Sequence, residues 1–64
     1  MRDFIKTLNI FDYATFRNTC IKECNVTRGT WSLWIRGIVK VPEKYHDIIN
    51  KVAVDLFGQT VFDN

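Results

Sequence analysis

Apolar residues recur at intervals of three and four along most of the chain, which is the spacing of an amphipathic α-helix. This pattern predicts four helices, over about residues 2–9, 13–24, 28–36 and 42–57, followed by a short tail at residues 59–64. A chain of 64 residues has the length of one domain. We therefore expect an all-α fold, a compact four-helix domain that spans residues 1–64.

The predicted core consists of apolar residues that share one face of each helix. In chain order they are Phe4, Ile5 and Leu8; Tyr13, Phe16, Cys20, Ile21 and Cys24; Trp31, Trp34, Ile35 and Ile38; and Tyr45, Ile48, Ile49, Val52, Ala53, Leu56 and Phe57. With 47% hydrophobic and 14% aromatic residues, the chain has enough large side chains to form a core at this length.

Residues with known capping preferences begin the predicted helices. Asp12 is expected to cap the second helix and Thr27 the third, because each side chain can accept a hydrogen bond from a free amide of the first turn. Ile10 and Phe11, which precede Asp12, are expected to form a hydrophobic connection between the first and second helices. Pro42 is expected at the first position of the fourth helix, where its missing amide costs nothing.

Other residues favour helix ends. Asn25, Gly37 and Gly58 tolerate the left-handed backbone conformation with which many helices end, so we expect the second, third and fourth helices to end there. Val26 fills the turn between the second and third helices, and residues 38–41 form an extended connector. The second and third helices are thus separated by a short turn.

Trp31 and Trp34 permit two interpretations. Paired tryptophans can stack on bases in proteins that bind single-stranded nucleic acid. Their spacing within an apolar stripe is instead that of core residues, and one short helix cannot bury both indoles and also expose them. We therefore expect both in the core, which leaves Arg28, Ser32 and Arg36 on the outer face.

The net charge of +2 is small, but charge is unevenly distributed along the chain. Between residues 17 and 40 there is one acid, Glu23, against five bases: Arg17, Lys22, Arg28, Arg36 and Lys40. A cationic middle segment on a nearly balanced chain is typical of a phosphate-binding surface. A solvated face without a partner gives the same pattern, so charge alone leaves both interpretations open.

The titratable residues lack the pattern of a catalytic or metal site. Cys20 and Cys24 are four residues apart on one predicted helix, a spacing unsuited to a disulfide, and the single histidine, His46, is far along the chain. We expect two buried thiols in a reducing compartment and a histidine on the surface. The sequence predicts no enzyme, no metal or other cofactor and no small-molecule substrate.

No apolar run approaches the roughly 20 residues of a membrane-spanning helix. The first six residues, Met-Arg-Asp-Phe-Ile-Lys, lack the pattern of a secretory signal. We expect a cytoplasmic protein that does not bind membranes.

The outer face of the third helix has side chains suited to reading double-stranded DNA. A helix that enters the major groove by its N-terminal end presents such positions to base edges. There Arg28 matches the two acceptors of guanine, and Ser32 offers a further hydrogen bond. Leu33 can touch a thymine methyl, and Gly29 allows close approach. Phosphate contacts are expected from Arg17, Thr27, Arg36 and Lys40, with Lys44 a weaker candidate.

These segments together resemble the helix-turn-helix proteins of the phage repressor and Cro type. The matching residues are 20–26, Cys-Ile-Lys-Glu-Cys-Asn-Val, for the first helix and turn, and 27–37, Thr-Arg-Gly-Thr-Trp-Ser-Leu-Trp-Ile-Arg-Gly, for the recognition helix and its end. Val41 and Pro42 then lead into an amphipathic helix, so the resemblance covers residues 13–58. It implies an all-helical DNA-binding domain, commonly a dimer on a palindromic operator, from a bacterium, phage or mobile element.

The chain departs from this family's pattern at four positions. Ile21 stands where the family usually has a small residue, which implies a wider crossing of the two helices. Asn25 replaces the turn glycine, Arg17 stands where glutamine is common, and Leu33 replaces a residue that is often polar.

We expect sequence-specific binding of double-stranded DNA and regulation of transcription by operator occupancy. The alternative is a protein-interaction module on the same scaffold, such as a phage or mobile-element modulator, because fold does not determine function. The tail could fray, dock Phe62 into the core or pair with a second copy. We expect docking or a homodimer contact through Val61 and Phe62.

Overall fold

The computed structural model describes residues 1–62. Its elements are α1 (Arg2–Ile5), α2 (Ile10–Cys24), α3 (Arg28–Ile35), a 3-10 turn (Glu43–Tyr45) and α4 (His46–Phe57). These residues contain no β-strand, so the predicted all-α, four-helix architecture is confirmed. Asp63 and Asn64, which end the predicted tail, lie outside the described residues.

The first helix is shorter than the apolar pattern predicts, because α1 ends at Ile5 rather than near residue 9. The hydroxyl of Thr7 donates to the carbonyl of Phe4 over 2.6 Å, and the amides of Thr7 and Leu8 bond three residues back instead of four. These local bonds tighten the chain into a turn and compete with the helical pattern. Phe4, Ile5 and Leu8 still pack against the core, as predicted.

The second helix begins earlier than predicted, and Asp12 is not its N-cap. The side-chain oxygen of Asn9 accepts a hydrogen bond from the amide of Asp12 over 2.8 Å. Ile10 and Phe11 therefore form the first turn of α2 rather than a connection, with 76% and 81% of their surfaces exposed. Asn and Asp are equally good N-caps, so residue type alone could not distinguish position 9 from position 12.

The other predicted helix boundaries between α2 and α3 are confirmed. Asn25 has φ 55° and ψ 46°, and the amide of Val26 bonds to the carbonyl of Ile21 over 3.2 Å, which closes the end of α2. Thr27 is the N-cap of α3, because its hydroxyl oxygen accepts from the amide of Thr30 over 3.1 Å. Three residues, 25–27, thus join the two helices.

The glycines that follow α3 and α4 also adopt the expected conformation. Gly37 has φ 75° and Gly58 has φ 70°. Pro42, in contrast, is not the first residue of a helix, since its ψ of 142° is extended and α4 begins at His46. A 3-10 turn intervenes because the amide of Tyr45 bonds to the carbonyl of Pro42, which sets the Tyr45 ring against Trp34 at 5.1 Å.

The core is centred on Phe16 of α2, which is fully buried. The centroid of its ring lies 5.5 Å from that of Phe4, 5.9 Å from that of Trp31 and 6.0 Å from that of Phe57. Trp31 and Trp34 are 2% and 4% exposed, which confirms that both are core residues and not a base-stacking platform. The remaining buried residues are Cys20, Cys24, Val41, Ile49, Val52 and Ala53.

Two residues predicted for the core are exposed. Ile38 is 59% exposed, because the left-handed Gly37 ends α3 and breaks the helical register before Ile38. The buried residue of this connector is Val41. Leu56 is 40% exposed, because it lies at the edge of the α4 face that covers α2.

The tail docks on its own chain through Asn50 of α4. The side-chain oxygen of Asn50 accepts from the amides of Val61 and Phe62, each over 2.8 Å, and its amide group donates to the carbonyl of Phe62 over 3.0 Å. The Phe62 ring stacks on the ring of His46, with centroids 3.9 Å apart. Docking is therefore confirmed, and His46, which also bonds to the carbonyl of Val41, is half-buried rather than on the surface.

Both cysteines are free thiols in the core, as predicted. Burial, with a smaller contribution from neighbouring Cys24, raises the pKa of Cys20 to about 12. Burial, and then the charge of Glu23, raises the pKa of Cys24 as well. The folded protein therefore holds these thiols in the protonated form.

Asn25→Ala is expected to lower the free energy of unfolding by about 1 kcal/mol, because alanine keeps the Cβ strain of a left-handed residue but lacks the short polar side chain with which asparagine offsets it. Asn25→Gly is the matched control and should change stability by no more than a few tenths of a kcal/mol. Urea unfolding followed by tryptophan fluorescence measures both. Equal losses for the two variants would contradict a conformational role for this residue.

Stability should fall as pH rises from about 9 to 12, since the Cys20 thiol ionises near its ordinary pKa of 9.0 in the unfolded chain and near 12 in the folded protein. The raised folded pKa stabilises the protein fully below pH 9, and this contribution is lost at about 1.4 kcal/mol per pH unit above it. Unfolding in reductant at pH 8 to 11 measures the slope. Cys20→Ala should show a shallower slope, and an unchanged slope would contradict this assignment.

Candidate nucleic-acid interface

The third helix presents different residues to the core and to solvent. Trp31 and Trp34 lie in the core, while Arg28 and Gly29 are exposed, Ser32 is half-buried and Leu33 is 36% exposed. The predicted outer face of α3 is thus the face that remains accessible. The burial of the two indoles determines this orientation, because α3 has eight residues and can turn one face inward.

Residues of α2 and α3 together form a depression of about 240 Å³, which we call the α2–α3 cleft. The residues that line it are Tyr13, Arg17, Arg28, Trp31, Ser32 and Ile35. The structure therefore brings three of the predicted DNA-binding residues, Arg17, Arg28 and Ser32, to one place. Two guanidinium groups beside a hydroxyl form a surface suited to phosphate or to base acceptors.

Arg17 is held at this cleft by its neighbours on α2. Its guanidinium carbon lies 5.6 Å from the centroid of the Tyr13 ring, within the range of a cation–π interaction. Its Nε donates to the side-chain oxygen of Asn18 over 3.3 Å. These contacts restrict a long flexible side chain, so less conformational entropy is lost when Arg17 binds an anion.

Tyr13, which the apolar pattern assigns to the core, is instead half-buried and lines the cleft. The indole N–H of Trp31 donates to the hydroxyl oxygen of Tyr13 over 3.3 Å. Because this oxygen accepts, its own hydrogen is free to donate to a ligand in the cleft. The sequence could have indicated this role, because a tyrosine on a predicted core stripe usually has a polar partner for its hydroxyl.

The folded structure requires the side chain of Thr27 but does not require glycine at position 29. A methyl group added at Gly29 would lie 3.7 Å from the Thr27 hydroxyl, an ordinary contact, so the fold itself does not require glycine there. The Thr27 hydroxyl, in contrast, caps α3 and donates to the Thr30 hydroxyl over 3.1 Å. A phosphate contact from Thr27 would have to compete with this cap.

The remaining predicted contacts lie towards the other end of α3. Arg36 is exposed and directly follows the helix. Lys40 does not line the α2–α3 cleft and instead lines a separate depression with Arg2 and Lys6 of the N-terminal segment. The predicted residues that line a depression are therefore divided between two regions, whereas Thr27, Gly29, Leu33 and Arg36 line neither. Lys44 lies 4.9 Å from the centroid of the Tyr45 ring, in neither region.

The chain matches no protein-family model, no curated protein and no solved structure. Among residues 1–62, no group of three or more His, Cys, Asp or Glu side chains is arranged to hold a metal ion. Over the same residues, no helix is long and apolar enough to cross a membrane. The geometry of α2 and α3 is therefore the basis on which a function can be proposed.

Tyr13→Phe is expected to lower the free energy of unfolding by about 1 kcal/mol, because it leaves the buried indole N–H of Trp31 without its acceptor. Tyr45→Phe is the matched control, since it also removes one hydroxyl from the aromatic core but leaves Trp31 bonded. Chemical denaturation measures both variants. The same change in both would show that the Tyr13 hydroxyl has no special role.

Proposed function

We propose that the chain binds double-stranded DNA in a sequence-specific manner and regulates transcription by occupying an operator. The proposed location of the protein is the cytoplasm. The observation that supports this most is the α2–α3 cleft, where Arg17, Arg28 and Ser32 meet on the accessible side of α3. The buried Trp31 and Trp34 hold that helix firmly from the other side. A helix fixed in this way can present side chains to the major groove without losing its own packing.

The dimensions of α3 suit the groove. An α-helix with its side chains is about 10–12 Å in diameter, which matches the roughly 12 Å width of the major groove, and the eight residues of α3 extend about 12 Å along it. In this arrangement Arg28 reads guanine, Ser32 and Leu33 contact neighbouring base edges, and Gly29 lets the helix backbone approach closely. Thr27, with its hydroxyl in the cap, would contribute only at the margin of this contact.

Phosphate contacts would flank these base contacts. Arg17 lies in the cleft at one side of α3, whereas Arg36 and Lys40 follow its C-terminal end. Arginine and lysine at such positions set affinity and register on the duplex, while the base contacts set sequence preference.

Dimerisation is part of the proposal, because a domain of this size makes few base contacts and specific sites usually need two copies. Val61 and Phe62 are half-buried against their own chain, so a homodimer through them would use their outer surfaces.

A protein-interaction module is the second candidate, and one observation favours it. Ile10 and Phe11 form an adjacent apolar pair on the first turn of α2, with most of their surfaces exposed. Exposed aromatic residues are typical of binding surfaces for other proteins. This pair lines neither the α2–α3 cleft nor the depression around Lys40.

Selection from a pool of random duplexes should enrich a preferred sequence, an inverted repeat if the protein dimerises. Arg28→Ala should then weaken binding to it by about 1–3 kcal/mol, roughly 5- to 150-fold, because the arginine is lost from a base contact. Gly29→Ala should bind less well although its helix is no less stable, since alanine favours helices and fits the free protein. Fluorescence anisotropy measures binding, and Lys51→Ala on α4 is the control.

Two outcomes would oppose this proposal. Failure to enrich any duplex, with no binding at low salt, would reject DNA as the ligand and direct attention to Ile10 and Phe11. Enrichment with unchanged affinity in folded Arg28→Ala and Gly29→Ala would show that DNA binds elsewhere on the protein.

A further inference from the structure

A second cationic region lies beyond the C-terminal end of α3. A depression of about 650 Å³ there is lined by Arg2 and Lys6 from the N-terminal segment and by Lys40 from the connector after α3. Trp34 and Gly37 form the part of its wall that belongs to α3 and its end. We call this region the α1–connector surface.

Arg2 lies directly against the end of α3. Its Cδ and Nη1 atoms are each 3.9 Å from the position that a Cβ would occupy on Gly37. Lys6 follows one helical turn later in the chain, and Lys40 approaches from the connector. Residues far apart in sequence thus form one cationic surface, and Arg2 and Lys6 belong to no basic cluster of the linear sequence.

The charge balance of this surface favours an anion. Among the described residues that line it, Asp3 is the one carboxylate, against Arg2, Lys6 and Lys40, with His46 also present. The three cationic side chains are all exposed. Exposed, flexible cations are better suited to binding the diffuse charge of a phosphate backbone than to binding a small anion. A small anion needs donors that are fixed by burial.

We propose that the α1–connector surface binds the phosphate backbone of DNA, opposite the backbone contacted at the α2–α3 cleft. This inference rests on the proposed function and extends it to Arg2 and Lys6. The α2–α3 cleft extends along α3 from Arg28 to Ile35, and the α1–connector surface begins at Trp34 and Gly37 and continues beyond the end of that helix. In the proposed complex, a duplex that takes α3 into its major groove would place one phosphate strand along each region.

The salt dependence of duplex binding tests this proposal. Each phosphate contact contributes about 0.9 to the slope of log K against log salt concentration. The double variant Arg2→Gln/Lys6→Gln should therefore lower the slope by about 2 and weaken binding by about tenfold at moderate salt. The matched control is Lys22→Gln/Lys51→Gln, which removes the same charge from residues that line neither region.

Two further variants complete the test, and the first of them lies outside α1. Lys40→Gln changes the connector alone and should lower the slope by about 1. Asp3→Asn removes the carboxylate from this surface and should tighten binding. Circular dichroism and thermal unfolding establish that each variant is folded.

The possible outcomes separate this inference from the proposed function. Loss of slope in the double variant but not in its control supports the α1–connector surface. Equal loss in both, or no loss in the double variant while Arg28→Ala weakens binding, overturns this inference and leaves the proposed function standing. Absence of duplex binding by the unchanged protein overturns both.

Discussion

The contacts of the Phe16 ring are the interaction on which the rest of this structure depends. Phe4 of α1, Trp31 of α3 and Phe57 of α4 all lie within 6.0 Å of it, centroid to centroid. A chain of 64 residues buries a smaller fraction of its surface on folding than a larger domain does, so each buried ring makes a large contribution to stability. With Phe16 fully enclosed, three helices are positioned by a single side chain of the fourth.

This arrangement couples the core to the candidate interface. The ring of Trp31 packs on Phe16, but its indole N–H needs a polar partner and reaches the hydroxyl of Tyr13. That hydroxyl lies at the α2–α3 cleft, beside Arg17. The requirement to satisfy a buried donor thus places a polar group on the accessible surface, and the same contact that stabilises the fold helps to shape the cleft.

The short connections around α3 give its two ends different surroundings. Asn25 ends α2 in the left-handed conformation, so that α3 follows after three residues and Arg28 comes to lie near Arg17. Gly37 ends α3 in the same conformation and turns the chain towards α1, where Arg2 lies against it. Exposed cationic side chains consequently lie near both ends of the helix, Arg28 at its start and Arg2 and Lys40 beyond its end.

The tail shows how a polar residue can hold an apolar one. Asn50 makes three hydrogen bonds to the backbone of Val61 and Phe62, and the Phe62 ring then stacks on His46. An amide side chain can donate and accept at once, which lets one residue satisfy several backbone groups of a segment that has no regular structure. His46 is drawn into the fold by this contact although its own neighbours in sequence are exposed or half-buried.

The sequence by itself determined the features that depend on local backbone preference and helical period. These are the four helices, the buried faces with Phe16, Trp31 and Trp34, the Thr27 cap, and the ends at Asn25, Gly37 and Gly58. Only the tertiary structure decided between Asn9 and Asp12 as a cap, ended α1 at Ile5, inserted a turn after Pro42 and joined Tyr13 to Trp31 and Arg2 to Gly37. Local preferences differ by about 1 kcal/mol or less between such alternatives, so the outcome depends on which local hydrogen bonds form together with the packing of residues far apart in sequence.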